Sequence, residues 1–167
     1  MQSVPLDKKR HQRAKFDCGV EALNNYLKLM ANQQATKNNS RIYILEDSQN
    51  KGIIVGFYTL TMVSIELNTL PKPLQNKHSH NHTAGLIARL AVDKHYANRG
   101  IGSWLLIDAL KKLLIASEIV GFPMVIVDAK KGMDTFYEQF GFQKFSQANE
   151  RLFMPVADIR VSFEKGV

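Results

Sequence analysis

The stretch Leu90-Ala91-Val92-Asp93-Lys94-His95-Tyr96-Ala97-Asn98-Arg99-Gly100-Ile101-Gly102-Ser103-Trp104-Leu105-Leu106 joins an apolar run to a polar turn and then to the start of an apolar-periodic segment. Gly100 and Gly102 carry no side chains to screen their backbone N–H groups. A helix opening at that point adds unpaired donors and a partial positive charge. Such a turn suits an anion of pyrophosphate size. Two better-known phosphate loops do not fit: a Walker A loop needs Lys after its last glycine, and Ser103 stands there. A dinucleotide fingerprint needs a small third residue three positions after the second glycine, where this chain has Leu105. A glycine pair alone also serves purely conformational ends.

Other residues invite chemistry. Lys8, Lys9, Arg10, Arg13 and Lys15 form a basic cluster with His11 among them and no acid from 8 to 16. Residues 1–100 hold 14 Lys/Arg against 7 Asp/Glu, whereas residues 101–167 hold 8 of each, so the whole +7 excess lies in the first three-fifths. A one-sided basic field attracts polyanions, nucleic acid above all, or else simply solvates a face. Arg89 is a charge within an apolar strand, suited to a substrate phosphate or carboxylate, or to a structural salt bridge. Cys18, the only cysteine, reads as a packed thiol and permits no internal disulfide or thiol metal cluster. His78, His80 and His82 alternate and would share one face of an extended strand. No acid lies beside them, and no metal is expected.

These groups need elements to hold them. Residues 17–32 predict a helix capped by Asp17, with Val20, Leu23, Leu27 and Met30 as its apolar stripe and the polar run 32–40 ending it. Residues 41–45 and 53–67 predict strands joined by the turn 47–52. Residues 68–83 read as an exposed loop and 86–92 as a strand buried on both faces. A helix is predicted from about Gly100 to Ser117, its apolar face built from Trp104, Leu106, Ile107, Leu110, Leu113 and Leu114. Residues 124–127 predict a strand and 133–140 a short helix closed by Gly141. Residues 142–145 and 152–154 predict an antiparallel pair. Strand–helix–strand in the second half argues a right-handed βαβ unit in a mixed α/β sheet flanked by helices.

At 167 residues the chain is sized for one domain, 1–167, and shows no repeat, low-complexity block or linker. A composition 45% hydrophobic and 22% charged excludes a disordered chain or a disulfide scaffold. No apolar run approaches the roughly 20 residues of a membrane span. The first residues lack the apolar core of a signal peptide, so a cytoplasmic address without a membrane is expected.

The stretch 90–106 resembles the cofactor motif of the GNAT superfamily of acetyl-CoA-dependent N-acetyltransferases, a Gln/Arg-x-x-Gly-x-Gly/Ala turn between a strand and a helix. Gly100 and Gly102 fill the glycine places, and Ala97 departs from the preferred Gln or Arg, with Asn98 or Arg99 able to compensate. Phe136-Tyr137-Glu138-Gln139-Phe140-Gly141-Phe142 is similar to the family's later motif, about 35 residues on. Three further segments resemble the GNAT toxins of bacterial toxin–antitoxin pairs. They are Phe16-Asp17-Cys18-Gly19-Val20-Glu21-Ala22-Leu23-Asn24-Asn25-Tyr26-Leu27, Ala88-Arg89-Leu90-Ala91-Val92 and Ser117-Glu118-Ile119-Val120-Gly121.

The resemblance implies acetyl-CoA as co-substrate. Leu90, Ala91 and Val92 would pair with its pantetheine arm, and Ala97, Asn98, Arg99, Gly100, Ile101, Gly102 and Ser103 would hold its pyrophosphate. Tyr137 would be the general acid for the departing thiolate; residues alone would make it a ring packed on Phe136, Phe140 and Phe142. No Asp or Glu lies between Glu66 and Asp93, and an α-amine of near-neutral pKa needs no protein base. The toxin branch implies aminoacyl-tRNA as acceptor, gripped by Lys8, Lys9, Arg10, Arg13, Lys15 and Arg89, with translation blocked. It also implies a homodimer and a small ribbon–helix–helix antitoxin. The alternatives are acetylation of a small-molecule amine or a protein or peptide amine, and a non-catalytic acyl-CoA- or RNA-binding module.

Overall fold

The computed structural model describes residues 1–145 and 150–166. Its seven strands are β1 (Ser3–Pro5), β2 (Arg41–Glu46), β3 (Ile54–Ser64), β4 (Thr83–Val92), β5 (Met124–Asp128), β6 (Gln143–Lys144) and β7 (Arg151–Pro155). They form one mixed sheet in the order β1-β2-β3-β4-β5-β7-β6. β4 and β5 run parallel, with Ala84 opposite Met124 and Ile87 opposite Val127. The β1–β2, β2–β3, β5–β7 and β6–β7 pairs are antiparallel. The helices are α1 (Glu21–Asn25), α2 (Ala31–Thr36), α3 (Lys72–Lys77), α4 (Ile101–Ile119), α5 (Asp134–Glu138) and α6 (Val156–Glu164). The expected mixed α/β class and the β4–α4–β5 unit are both present.

The chain gathers into two compact units, Met1–Thr61 with Ala88–Ala109, and Met62–Ile87 with Leu110–Val167. In the first, Phe16, Leu23, Tyr26, Leu27, Ala31, Ile42, Ile44, Ile54, Phe57 and Ala91 form the core. Leu105 and Leu106 of α4 are also fully buried, each contributing about 1.5–3 kcal/mol relative to exposure. A polar knot is set beside this core: Ser3 Oγ donates to Asp108 Oδ2 at 2.5 Å and Tyr58 Oη to the same oxygen at 2.6 Å. Burial, then the Asp108 carboxylate, push the Tyr58 phenol far up, so it stays a donor. In the second unit Met124, Ile126, Leu152 and Phe153 are buried, and the Phe145 and Phe153 rings lie 5.0 Å apart.

Several elements differ from expectation for identifiable reasons. The helix over 17–32 is α1, a π turn at Tyr26–Met30, and α2, ending at Thr36. Asp17 does not cap it. Its Oδ1 instead accepts from the Gly19 N–H at 2.8 Å and from Asn24 Nδ2 at 2.9 Å. Val20 flanks the start of α1 and is exposed, and at the wider π turn Met30 is exposed while Ala31 after it is buried. Residues 68–83 are not all loop, because α3 forms with Pro73 in its first turn, where the missing N–H costs nothing. β1 and α6 lie outside the elements expected from sequence. β3 ends at Ser64, and β4 begins three residues early, at Thr83.

Candidate active site

The turn expected to hold an anion is built within the first unit. β4 ends at Val92, and the Asp93 N–H donates to the Val55 carbonyl at 2.8 Å, carrying the chain off the sheet in a fixed direction. A 3₁₀ turn at Lys94–Tyr96 follows. Asn98 at φ +60° and Gly100 at φ +73° then bend the backbone into α4. Left-handed φ is cheap at Gly and tolerable at Asn, which accounts for both residue types. The first helical hydrogen bond runs from the Trp104 N–H to the Gly100 carbonyl at 3.1 Å. The N–H groups of Ile101, Gly102 and Ser103 therefore have no intrahelical acceptor. No atom lies within 4 Å of where a Gly100 Cβ would stand, so the approach is open. Ala97, Asn98, Arg99 and Gly100 are exposed, Gly102 and Ser103 half-buried, and Ile101 buried. Of the strand residues, Ala91 is buried and Leu90 and Val92 are half-buried. The geometry fits a phosphorylated ligand on three bare donors at the positive end of a nineteen-residue helix.

The residues that brace this turn were not legible as functional. Asp93 is buried, and its Oδ2 accepts from the Asp17 N–H at 2.9 Å. Its Oδ1 accepts from the His95 N–H at 2.9 Å and lies 2.8 Å from His95 Nδ1. Burial alone would raise the Asp93 pKa, but these donors outweigh it and hold the group below the usual carboxylate range. The bond returns from the other side: the Lys94 N–H donates to the Asp17 carbonyl at 2.8 Å, and Lys94 Nζ lies 2.7 Å from Asp17 Oδ2. Lys94, then the Gly19 N–H and Asn24, hold the Asp17 carboxyl well below its ordinary value. Phe16-Asp17-Cys18-Gly19 is thus the segment bolted to the cradle turn. Cys18 is half-buried and packs against the core. Farther along the turn, Tyr96 Oη donates to Asp47 Oδ2 at 2.6 Å, which with the Asn50 and Gln49 N–H groups lowers Asp47 to about 2. Arg99 lies over the Tyr96 ring at 5.4 Å and donates to the His95 carbonyl at 3.2 Å.

Tyr137 belongs to the second unit, on α5. It is 5% exposed, edge-on to Phe136 at 5.0 Å and to Phe142 at 5.9 Å. The Gly141 N–H closes α5 on the Glu138 carbonyl at 3.0 Å, with Gly141 at φ +96°, and this turn places Phe142 against Tyr137. Burial, then the charge of Asp128, raise the Tyr137 phenol to about 12. Among the described residues its hydroxyl makes no hydrogen bond. The packed ring and the protonated, uncommitted hydroxyl coexist in one residue.

The basic segment is a structured turn. The Asp7 N–H donates to His11 Nδ1 at 2.9 Å, and the Lys9 N–H to Asp7 Oδ1 at 2.8 Å. His11 is buried, with Nε2 3.1 Å from Glu46 Oε1 but without hydrogen-bond geometry, and desolvation lowers its pKa. Arg10 pairs with Glu46, and Arg13 Nη1 donates to the Lys28 carbonyl at 3.3 Å. Those two arginines are therefore committed internally. Lys8, Lys9 and Lys15 are exposed and have no ion pair among the described residues. Arg89 is half-buried, lies with its guanidinium carbon 3.7 Å over the Tyr26 ring, and makes no salt bridge among the described residues. His78 follows α3 and His82 folds back to the Ser79 carbonyl at 2.8 Å, so the alternating histidines do not lie on one strand. Among the described residues no three His, Cys, Asp or Glu side chains gather as a metal site.

Comparison with known proteins supplies a family. The chain is 30% identical to the "Probable toxin TacT" of Sinorhizobium fredii (strain NBRC 101917 / NGR234), over 93% of this chain and 91% of that one. It is 30% identical to the "tRNA-acetylating toxin" of Mycobacterium tuberculosis (strain ATCC 25618 / H37Rv), over 77% and 76% respectively. The structure of AtaT complexed with acetyl-methionyl-tRNAfMet matches with a TM-score of 0.86 at 29% identity, covering 97% of this chain and 98% of that one. A Tyr-to-Phe mutant of the AtaT toxin, bound to the C-terminus of the antitoxin AtaR and acetyl-CoA, matches with a TM-score of 0.80 at 27% identity, covering 97% of each chain. Residues 38–144, a span that takes in β4, the cradle turn, α4 and Tyr137, match the acetyltransferase (GNAT) domain, and the chain belongs to that family.

Proposed function

We propose that this chain is an acetyl-CoA-dependent N-acetyltransferase that acetylates the α-amine of aminoacyl-tRNA, a toxin that blocks translation. The observation that carries the reading is the bare first turn of α4, opening from β4 and braced by Asp93, in a chain that aligns along 93% of its length with a relative named as a toxin. Acetyl-CoA supplies an activated acetyl thioester. The Ile101, Gly102 and Ser103 N–H groups take its pyrophosphate charge, and the backbone at Leu90–Val92 takes the pantetheine arm. Ala97 gives no side-chain contact where the family carries Gln or Arg, and Asn98 and Arg99 flank the gap. Backbone N–H groups of β4 stabilise developing oxyanion charge. Tyr137 delivers its proton to the departing sulfur. The acceptor is an α-amine whose pKa the neighbouring ester lowers, so a neutral fraction exists without a protein base.

Lys8, Lys9 and Lys15 supply the polyanion contact, since they are the members of the basic cluster left without an internal partner. Phosphate contacts position a nucleic acid without reading its sequence. On the family's pattern, the chain is a cytoplasmic homodimer and its neutralising partner is a small ribbon–helix–helix antitoxin. The AtaT–AtaR structure shows such a toxin held by the C-terminus of its antitoxin.

The acceptor assignment is tested by salt. With charged tRNA as substrate, KM should climb steeply between low and physiological ionic strength, with a log–log slope of roughly 0.7–0.9 per phosphate neutralised. Changing Lys8, Lys9 and Lys15 to Gln should raise KM and flatten that slope by about two to three, with acetyl-CoA affinity kept. A KM indifferent to salt would remove the three lysines from the acceptor contact, and label on a small-molecule or peptide amine with none on charged tRNA would transfer the reading to that acceptor.

A further inference from the structure

We propose that Arg89, whose guanidinium lies over the Tyr26 ring, is the anchor for a single phosphodiester near the charged end of the acceptor, the one linking its last two nucleotides. This deepens the aminoacyl-tRNA reading and rests on it.

Arg89 sits within β4 next to Leu90–Val92, half-buried. A charge drawn out of water is normally compensated by a carboxylate, because leaving it unpaired is costly. Here the compensation is aromatic: the guanidinium carbon stands 3.7 Å from the centroid of the Tyr26 ring. Among the described residues no hydrogen bond or ion pair takes up its N–H fork, since contact with a ring face uses none of those donors. That fork matches two oxygens of a phosphodiester.

The platform under it is rigid. Tyr26 is 4% exposed and stacks on Phe57 at 6.4 Å, and Phe57 takes the edge of Phe16 at 5.4 Å. Tyr26 opens the π turn Tyr26–Met30 and belongs to the same buried cluster as Leu23 and Leu27. The Tyr26 hydroxyl is buried and has no hydrogen-bond partner. The residue under the guanidinium, Tyr26, thus also holds a polar group without an internal partner.

Position along the strand identifies the ligand. A strand rises about 3.3 Å per residue, so Arg89 lies roughly 10 Å along β4 before Val92, on the far side of the pantetheine stretch from the cradle. Its charge therefore serves an anion at the acetyl end. An aminoacyl ester of a terminal nucleotide brings an amine and a phosphodiester on one short scaffold. A polyamine brings only repulsion.

Two minimal acceptors separate the contributions: an aminoacyl-adenosine ester without phosphate, and the same ester on a cytidylyl-adenosine dinucleotide. For the wild-type protein, kcat/KM should favour the dinucleotide by about tenfold to a hundredfold, the usual scale of charge-assisted hydrogen bonds. In Arg89→Gln that ratio should fall to near one, and in Arg89→Lys it should survive in part, because charge remains while fork and stack are lost. Acetyl-CoA affinity by calorimetry confirms that each variant is folded. Equal losses on both esters in Arg89→Gln would make Arg89 a prop for the core and overturn the proposal. So would a wild type that acetylates intact charged tRNA yet treats the two esters alike. If the wild type acetylates neither ester nor intact charged tRNA, the aminoacyl-tRNA reading fails first and this inference falls with it.

Discussion

Replacing Gly102 by Glu should cut acetyl-CoA affinity by roughly a hundredfold to a thousandfold in titration calorimetry, with the fold intact. The new carboxylate stands in the first turn of α4, where the N–H groups of Ile101 to Ser103 have no intrahelical acceptor. A negative charge about 4 Å from a phosphate costs about 4 kcal/mol at an effective dielectric near 20. The helix itself gains from an acid in its first turn, so stability should hold. Gly102→Ala adds a methyl group without charge and favours the helix, and it should lose far less affinity. If Gly102→Glu binds acetyl-CoA as the wild type does, the cradle is misassigned.

The second large effect is at Tyr137. Tyr137→Phe removes one hydroxyl and keeps the edge contacts with Phe136 and Phe142. The acetyl-transfer rate should fall about a hundredfold or more, the scale for a positioned acid, while acetyl-CoA affinity barely moves. A loss of affinity with turnover intact would make Tyr137 a packing residue. The pH profile offers an independent check. Burial raises the phenol to about 12, so the acid form persists until pH rises through that value. The rate should therefore climb with the neutral fraction of the acceptor amine from about pH 6 to about pH 9, with no falling limb in that range. A descending limb there would assign the proton to another group.

What the sequence disclosed follows from how local each signal is. The β4–α4–β5 unit was legible because an apolar run, two glycines and helical spacing lie within one stretch. The short helix before Gly141 was legible for the same reason. The π turn was not, since Tyr26, Leu27, Lys28, Leu29 and Met30 satisfy an ordinary helix equally well and only tertiary packing selects the wider turn. Asp17 looked like a cap because its type suits one, yet its partners Asp93 and Lys94 lie more than seventy residues away. Asp93 carries no local signal for the same reason, its partner Asp17 being equally distant in sequence. β1 escaped because three residues carry no periodicity. Within the basic cluster, sequence could not separate Arg10 and Arg13, spent on Glu46 and the Lys28 carbonyl, from the three lysines left in solvent. For Arg89 the residues alone leave a salt bridge and a substrate contact open, and the structure shows no salt bridge to it among the described residues, with the guanidinium over Tyr26.

Transfer of an acetyl group from acetyl-CoA to the amine of aminoacyl-tRNA can be read out by incubating the purified protein with radiolabelled acetyl-CoA and a set of charged tRNAs, beside uncharged tRNA, a polyamine and a peptide amine. Label should appear on charged tRNA, be removed by hydrolysis of the aminoacyl ester, and be absent from uncharged tRNA. Label on the polyamine or the peptide, with none on any charged tRNA, would contradict transfer to aminoacyl-tRNA.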